Sequence, residues 1–113
     1  MSGITTHVLD TSRGRPASGV PVLLEIRTDD GWREIARAET DADGRARQLL
    51  PQGTPLTAGT WRLTFGVGKY FESGGVESFY PEASIVFVIR DPEQHYHVPL
   101  LLSPYGYSTY RGS

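Results

Sequence analysis

The feature of this sequence that most constrains its fold is an alternation of apolar and polar residues with a period of two. In the clearest segment, apolar residues occupy every second position from Trp61 to Val67, and Arg62, Thr64 and Gly66 fill the positions between them. Successive side chains of a β-strand point to opposite faces, so this period predicts a strand with one buried face. Residues 22–26 alternate in the same way.

Turn signals divide the chain between such segments. Asp30-Gly31 predicts a hairpin turn before a strand from Trp32 to Thr40. Asp43-Gly44 marks the next return of the chain, and Arg45 to Leu50 follow it. The prolines and glycines of residues 51–59 then predict a loop. Several short strands at such spacing indicate an all-β sandwich.

Residues 69–73 form the single candidate helix, and residues 1–113 are predicted to form one domain. The segment from Ser84 to Arg90 is apolar on both faces, because Ile85, Phe87 and Ile89 alternate with two valines. A strand of this kind is normally covered on both sides. We therefore expect a second subunit to cover the face that the chain's own core does not.

Composition excludes several classes of protein. The chain has no cysteine, so it forms neither disulfides nor thiolate metal sites. Its net charge of -2 does not favour nucleic acid as a partner. Its apolar runs are much shorter than the roughly 20 residues of a membrane span, and its first residues lack the basic and apolar regions of a signal peptide. We therefore expect a cytoplasmic protein without a membrane-spanning segment.

Three histidines are candidates for chemistry. His7 lies in a predicted strand from Ile4 to Thr11, and His95 and His97 share one face of a later predicted strand. Strand histidines are often simply exposed, and His95, behind a polar Asp-Pro-Glu segment, is expected to be solvated. Two histidines at positions i and i+2 could chelate zinc. No cysteine or acidic residue completes a known ligand spacing, so we expect no metal.

Arg45 and Arg47 form a basic pair after the Asp43-Gly44 turn. By alternation both side chains point to the same face. A guanidinium group presents a planar fork of donors, so the pair is either a solvated surface or a clamp for an anion or a carbonyl. The sequence has no nucleophile elbow, phosphate-binding loop or dinucleotide fingerprint. Residue types and spacing alone therefore do not name a reaction.

Three longer motifs carry more information. Residues 4–17 begin with ITTHVLDT and end with GRPA, residues 40–45 read TDADGR, and residues 95–113 read HYHVPLLLSPYGYSTYRGS. Together they resemble the 5-hydroxyisourate hydrolase family, also called transthyretin-related proteins. The third motif is the most specific, since its terminal YRGS is the signature of that family. The resemblance covers essentially the whole chain.

This resemblance implies a prealbumin-like two-sheet β-sandwich with one short helix, assembled as a homotetramer (a dimer of dimers) around a central channel. It implies cofactor-free hydrolysis of 5-hydroxyisourate, a cyclic amide of uric acid breakdown, to 2-oxo-4-hydroxy-4-carboxy-5-ureidoimidazoline. It carries over His7, Arg45 and His97 as the catalytic residues. The residues that it places along the substrate are Tyr110, Arg111, Gly112 and Ser113.

These residue types suit the implied reaction. A histidine with a pKa of about 6.5 can deprotonate water near neutral pH, although the sequence does not reveal whether His7 or His97 is the base. Arg45 can stabilise the oxyanion that forms. Arg111 either orients the substrate or holds the tail in place. Gly112 allows the backbone to approach a ligand closely.

Two alternatives belong to other functional classes. A transthyretin-like carrier of small ligands would share the fold, but the polar set of His7, Arg45 and His97 suits a carrier poorly. Residues 19–22 and 40–44 also resemble carboxypeptidase regulatory-like β-domains, which are structural or binding modules. Those domains lack the His7 motif and the C-terminal signature.

Overall fold

The structure of this protein is a computed structural model that describes residues 3–113. In chain order, the elements within this range are β1 (Gly3–Asp10), β2 (Arg15–Pro16), β3 (Pro21–Thr28), β4 (Gly31–Glu39), β5 (Arg45–Ala46), β6 (Gly59–Phe65), α1 (Val67–Ser73), β7 (Ala83–Ile89), β8 (His95–Ser103) and β9 (Gly106–Thr109).

The strands form two sheets, which we name after their first strands. The β1 sheet has the order β2-β1-β8-β9, with β5 also paired to β1, and the β3 sheet has the order β4-β3-β6-β7. The β1 and β8 strands are parallel, and the other pairs between these strands are antiparallel. The sandwich with one short helix that the sequence predicts is confirmed.

An apolar core fills the space between the sheets. In β6, Trp61, Leu63 and Phe65 are buried, while Arg62 and Thr64 are half-buried on the other face. Burial of each such large side chain contributes about 1.5–3 kcal/mol. The β1 strand follows the same rule, because its even-numbered residues are buried and its odd-numbered residues are half-buried. The outer face of the β1 sheet therefore presents the odd-numbered side chains of β1.

The helix begins two residues earlier than the sequence predicted. Val67, expected to continue the β6 strand, is instead the first residue of α1. The β6 strand ends at Phe65, and the N–H of the next residue, Gly66, donates to the carbonyl oxygen of Pro21 at 2.9 Å. Val67 and Phe71 are then buried on one helix face at a spacing of four residues. This second apolar contact with the core explains the earlier start.

The helix is also tied to the β1 sheet through a buried carboxylate. Asp10 is fully buried and accepts hydrogen bonds from the hydroxyl of Tyr70 at 2.8 Å and the hydroxyl of Ser12 at 2.6 Å. Burial and this carboxylate together raise the pKa of Tyr70. The C-terminal end of β1 is thereby fixed.

The segment from Arg45 to Leu50 is a strand for only its first two residues. Arg45 and Ala46 pair with His7 and Thr6 of β1. The chain then leaves the sheet, and Leu49 is buried in the core with an exposed fraction of 1%. Burial of this leucine replaces further strand pairing.

The strand that is apolar on both faces, β7, lies at the edge of the β3 sheet. Ala83 and Ile89 at its two ends are buried in the chain's own core. On its outer face, Val86 and Val88 remain 52% and 48% exposed. The uncovered face that the sequence predicted is therefore present in the single chain.

Candidate active site

The outer face of the β1 sheet carries most of the candidate site residues that were predicted from the sequence. His7 lies in the middle of β1, with its main chain opposite Arg45 of β5 on one side and Pro99 of β8 on the other. Cross-strand neighbours on one face have closely spaced side chains. Strand pairing therefore places His7 and Arg45 next to each other, although they lie 38 positions apart in the sequence.

The turn before Arg45 fixes the position of this residue beside β1. The Asp41 carboxylate accepts the backbone N–H groups of Asp43 and Arg45 at 2.9 and 3.0 Å, and the bond from Arg45 is the main cause of the lowered pKa of Asp41. Gly44 has a φ of +75°, and a Cβ at this position would collide with the carbonyl oxygen of Val8. Asp41 and Gly44 thus together shape the turn that brings Arg45 against β1.

His97 reaches the same face from β8. Its main chain lies beside that of Thr5 in the parallel pair of β1 and β8, and its Nδ1 atom lies 2.8 Å from the hydroxyl oxygen of Thr5. Burial lowers the pKa of His97 below the ordinary histidine value of 6.5, and the nearby Arg45, His7 and His95 lower it further. The ring of His97 is therefore held in its neutral form near neutral pH.

Arg45 and His97 border an open cavity of about 470 Å³, whereas His7, beside Arg45, is not among the residues that line it. The residues that line it are Thr5, Thr6, Arg45, Arg47, His95, His97 and Ser113. The predicted common direction of the two arginines agrees with this lining. Arg47 is also paired with Asp43, at 3.4 Å between Nη2 and Oδ2, whereas the recorded ion pairs of the described residues do not include Arg45.

The C-terminal tail is held against the histidine face beyond the last strand. The N–H of Gly112 donates to the carbonyl oxygen of His97 at 2.8 Å, in register with the pairing of β8 and β9. The sequence predicted pairing up to about Thr109, and the bridge between Gly112 and His97 extends it three residues further. Gly112 approaches the ring of His97 so closely that a Cβ at this position would collide with the ring. The absence of a side chain at Gly112 is therefore explained within the single chain.

Two of the four tail residues lie away from this cavity in the single chain. The guanidinium carbon of Arg111 lies 4.5 Å from the centre of the Tyr96 ring, and an N–H of Arg111 donates to the side chain of Gln94 at 2.9 Å. Tyr110 and Arg111 instead line an apolar depression of about 290 Å³ beside β7. Of the two roles considered for Arg111, these contacts favour holding the tail.

Sequence reasoning missed Thr5 and undervalued His95. His95 is exposed, as expected, but its Nε2 atom lies 2.9 Å from the same hydroxyl oxygen of Thr5 that contacts His97. The available signal was alternation, since Thr5 shares a strand face with His7, and His95 shares one with His97. Within residues 3–113, no three His, Cys, Asp or Glu side chains are grouped so that they could hold a metal ion.

The profile of the HIUase/Transthyretin family matches residues 4–112. The chain belongs to this family. A 5-hydroxyisourate hydrolase from Salmonella dublin is 47% identical over 110 residues, which are 97% of this chain and 80% of that protein. The family and fold predicted from the motifs are thus confirmed.

Solved structures of this family resemble the chain closely. The structure of Klebsiella pneumoniae 5-hydroxyisourate hydrolase has a TM-score of 0.87 and 42% identity, and the match covers 100% of this chain and 94% of that one. Sea bream transthyretin in complex with thyroxine has a TM-score of 0.88 and 33% identity, over 96% and 93%. The backbone alone therefore does not separate a hydrolase from a carrier, and the side chains of the site must do so. In the described part of the chain, no helix has the length and apolar character needed to cross a membrane.

Proposed function

We propose that this protein hydrolyses 5-hydroxyisourate, with the catalytic residues on the outer face of the β1 sheet. The observation that carries this proposal is that three separate strands bring His7, Arg45 and His97 together, with Arg45 and His97 lining one open cavity and His7 paired directly beside Arg45. The activity agrees with that of the named hydrolase relatives, which are about half identical to this chain. A hydrolase of this kind needs a base for water and a donor for an oxyanion, and the cluster offers both.

We assign the role of general base to His97. Its pKa is lowered by burial and by the neighbouring Arg45, so the ring is neutral and able to accept a proton at neutral pH. His97 removes a proton from water as the water oxygen bonds to the ring carbonyl carbon of the substrate. The electron pair of the carbonyl moves to its oxygen, and Arg45 stabilises this oxyanion with its guanidinium N–H groups.

Collapse of the tetrahedral intermediate completes the reaction. The carbonyl re-forms, the bond between carbon and the ring nitrogen breaks, and the proton held by His97 passes to that nitrogen. His7, which lies next to Arg45, orients the attacking water. Atoms and protons balance with water and substrate alone, so the proposed reaction uses no cofactor.

The tail contributes through its last two residues. Ser113 lines the cavity and brings a hydroxyl group to the substrate, while Gly112 fixes the ring of His97 through close contact. Arg111 holds the tail by packing on Tyr96. Tyr110, which is 58% exposed in the single chain, is assigned to the substrate side of an assembled site.

We propose that the working form is a homotetramer. The apolar outer face of β7, with Val86 and Val88 about half exposed, is the surface that a symmetric partner would cover. A second copy would also enclose the open cavity on the β1 sheet and exclude water from it, which strengthens the electrostatic action of Arg45. The cytoplasmic location stays a prediction from the sequence.

One experiment tests the activity directly. The protein is mixed with freshly prepared 5-hydroxyisourate, and the decay of its ultraviolet absorbance is compared with spontaneous decay. We expect strong acceleration by the wild-type chain and almost none by His97→Ala. A transthyretin-like carrier, which the match to a thyroxine complex makes the second candidate, would bind an aromatic ligand and leave the decay rate unchanged.

A further inference from the structure

The hydroxyl group of Thr5 lies between two histidine rings. Its oxygen is 2.8 Å from Nδ1 of His97 and 2.9 Å from Nε2 of His95. Strand register produces this arrangement, because Thr5 pairs with His97 across the parallel strands, and His95 lies two residues earlier on the same face. The Nδ1 atom of His97 is therefore in hydrogen-bonding contact with Thr5.

A threonine hydroxyl has one proton to donate. If it donates to His97, then Nδ1 of His97 is an acceptor, and the neutral ring carries its own proton on Nε2. If it donates to His95 instead, it accepts the proton of Nδ1–H from His97. In that second arrangement Nε2 of His97 has a free electron pair, as a base requires.

The charges around His97 make this choice matter. Burial first, and then the neighbouring Arg45, His7 and His95, lower the pKa of His97, so the neutral ring is favoured and takes one of two tautomers. Nδ1 is already in contact with Thr5, which leaves Nε2 as the nitrogen able to act on water. A neutral ring of the wrong tautomer would present an N–H at that position and could not accept a proton.

We propose that Thr5 and His95 are positioning residues that fix the tautomer of His97: Nδ1–H of His97 donates to Thr5, and the Thr5 hydroxyl donates to Nε2 of His95. The proposal rests on the hydrolase function proposed above. Neither positioning residue touches the reacting atoms. Their effect is to hold the free electron pair of His97 on Nε2, toward the cavity, before substrate binds.

The test compares Thr5→Val with Thr5→Ser. Valine keeps the shape and the β-branch but removes the hydroxyl group, whereas serine retains it. For Thr5→Val we expect kcat to fall by about 10²-fold, with little change in KM. This factor lies within the rate enhancement that a general base usually contributes. Thr5→Ser should restore most of kcat. Thr64→Val is the matched control, because Thr64 is a partly exposed strand residue of the other sheet.

His95→Ala separates this relay from a packing role. Without His95, the Thr5 hydroxyl has no ring nitrogen to receive its proton except that of His97, so the unwanted tautomer becomes favoured. We therefore expect kcat to fall by a similar factor even though His95 is exposed. A residue that served only to pack against Thr5 would leave kcat nearly unchanged.

Nuclear magnetic resonance of the histidine ring nitrogens reads the tautomer without an activity assay. We expect protonated Nδ1 in wild-type His97 and a shift toward protonated Nε2 in Thr5→Val and His95→Ala. Wild-type kcat in Thr5→Val, or protonated Nε2 in the wild-type ring, would overturn the proposal. If the wild-type chain fails to hydrolyse 5-hydroxyisourate, the proposed function is wrong, and the ring-nitrogen spectra still decide whether the hydrogen-bond relay exists.

Discussion

Replacing Gly112 with alanine tests how the tail acts on the site. An added Cβ would lie 2.6 Å from Cδ2 of His97, 3.3 Å from Cγ and 3.4 Å from Cβ of the same residue. The φ angle of Gly112 lies outside the range that side chains avoid. Alanine is therefore acceptable to the backbone, and the expected effect comes from its contact with the His97 ring.

The size of the effect follows from that contact. Non-bonded carbon atoms pack at about 3.5–4.0 Å, so the ring or the tail must move by roughly 1 Å. A displacement of that size can reduce catalysis by about 10²-fold, which corresponds to about 2.7 kcal/mol in the activation barrier. The free energy of unfolding should change little, because Gly112 is outside the apolar core.

The assay is kcat/KM for decay of 5-hydroxyisourate, measured together with the melting temperature. Gly106→Ala is the matched control, since it lies in the same hairpin, and a Cβ there would meet only the hydroxyl oxygen of Ser103 at 3.8 Å. We expect Gly106→Ala to retain activity and Gly112→Ala to lose it at similar stability. Equal activity of the two variants would refute the idea that Gly112 fixes the His97 ring.

Four further predictions concern the same site and the assembly. His7→Ala should reduce kcat by about 10²–10⁴-fold while circular dichroism stays unchanged, because His7 faces away from the core. Deletion of residues 110–113 should abolish hydrolysis without unfolding the sandwich, since β9 remains paired up to its last residue; full activity of the shortened chain would exclude the tail from the site. The acid limb of the kcat/KM profile should lie below pH 6.5, because burial and Arg45 lower the pKa of His97 and its basic form persists as the pH falls; a limb above 6.5 would contradict its assignment as the base. Val88→Glu should convert the proposed tetramer to smaller species in light scattering, since it places a charge on the exposed apolar face of β7.

Much of the fold could be read from the sequence. Strand alternation predicted which side chains of β1 and β6 are buried, and Asp-Gly pairs predicted the turns, because both are set by the local geometry of the chain. The helix start was misplaced by two residues. Alternation makes Val67 look like a strand residue, whereas the strand ends before Gly66, and Val67 and Phe71 are both buried on the helix that follows.

The candidate site was predicted in part, and mainly through the motifs. Period-two patterns placed His7 on one strand face and His97 on another, but they carried no information about which strands are neighbours. The parallel pairing of β1 with β8, between segments that lie at opposite ends of the chain, exists only in the folded protein. That pairing puts Thr5 between His95 and His97.

The sequence by itself determined the strand faces and the turns and supplied the candidate reactive groups, because these depend on residues close together along the chain. Only the tertiary structure decided how they meet. It placed Gly112 against the His97 ring and directed Arg111 to Tyr96. Both contacts depend on the register of the tail against β8, and register is fixed by packing and hydrogen bonding across strands that are remote in sequence.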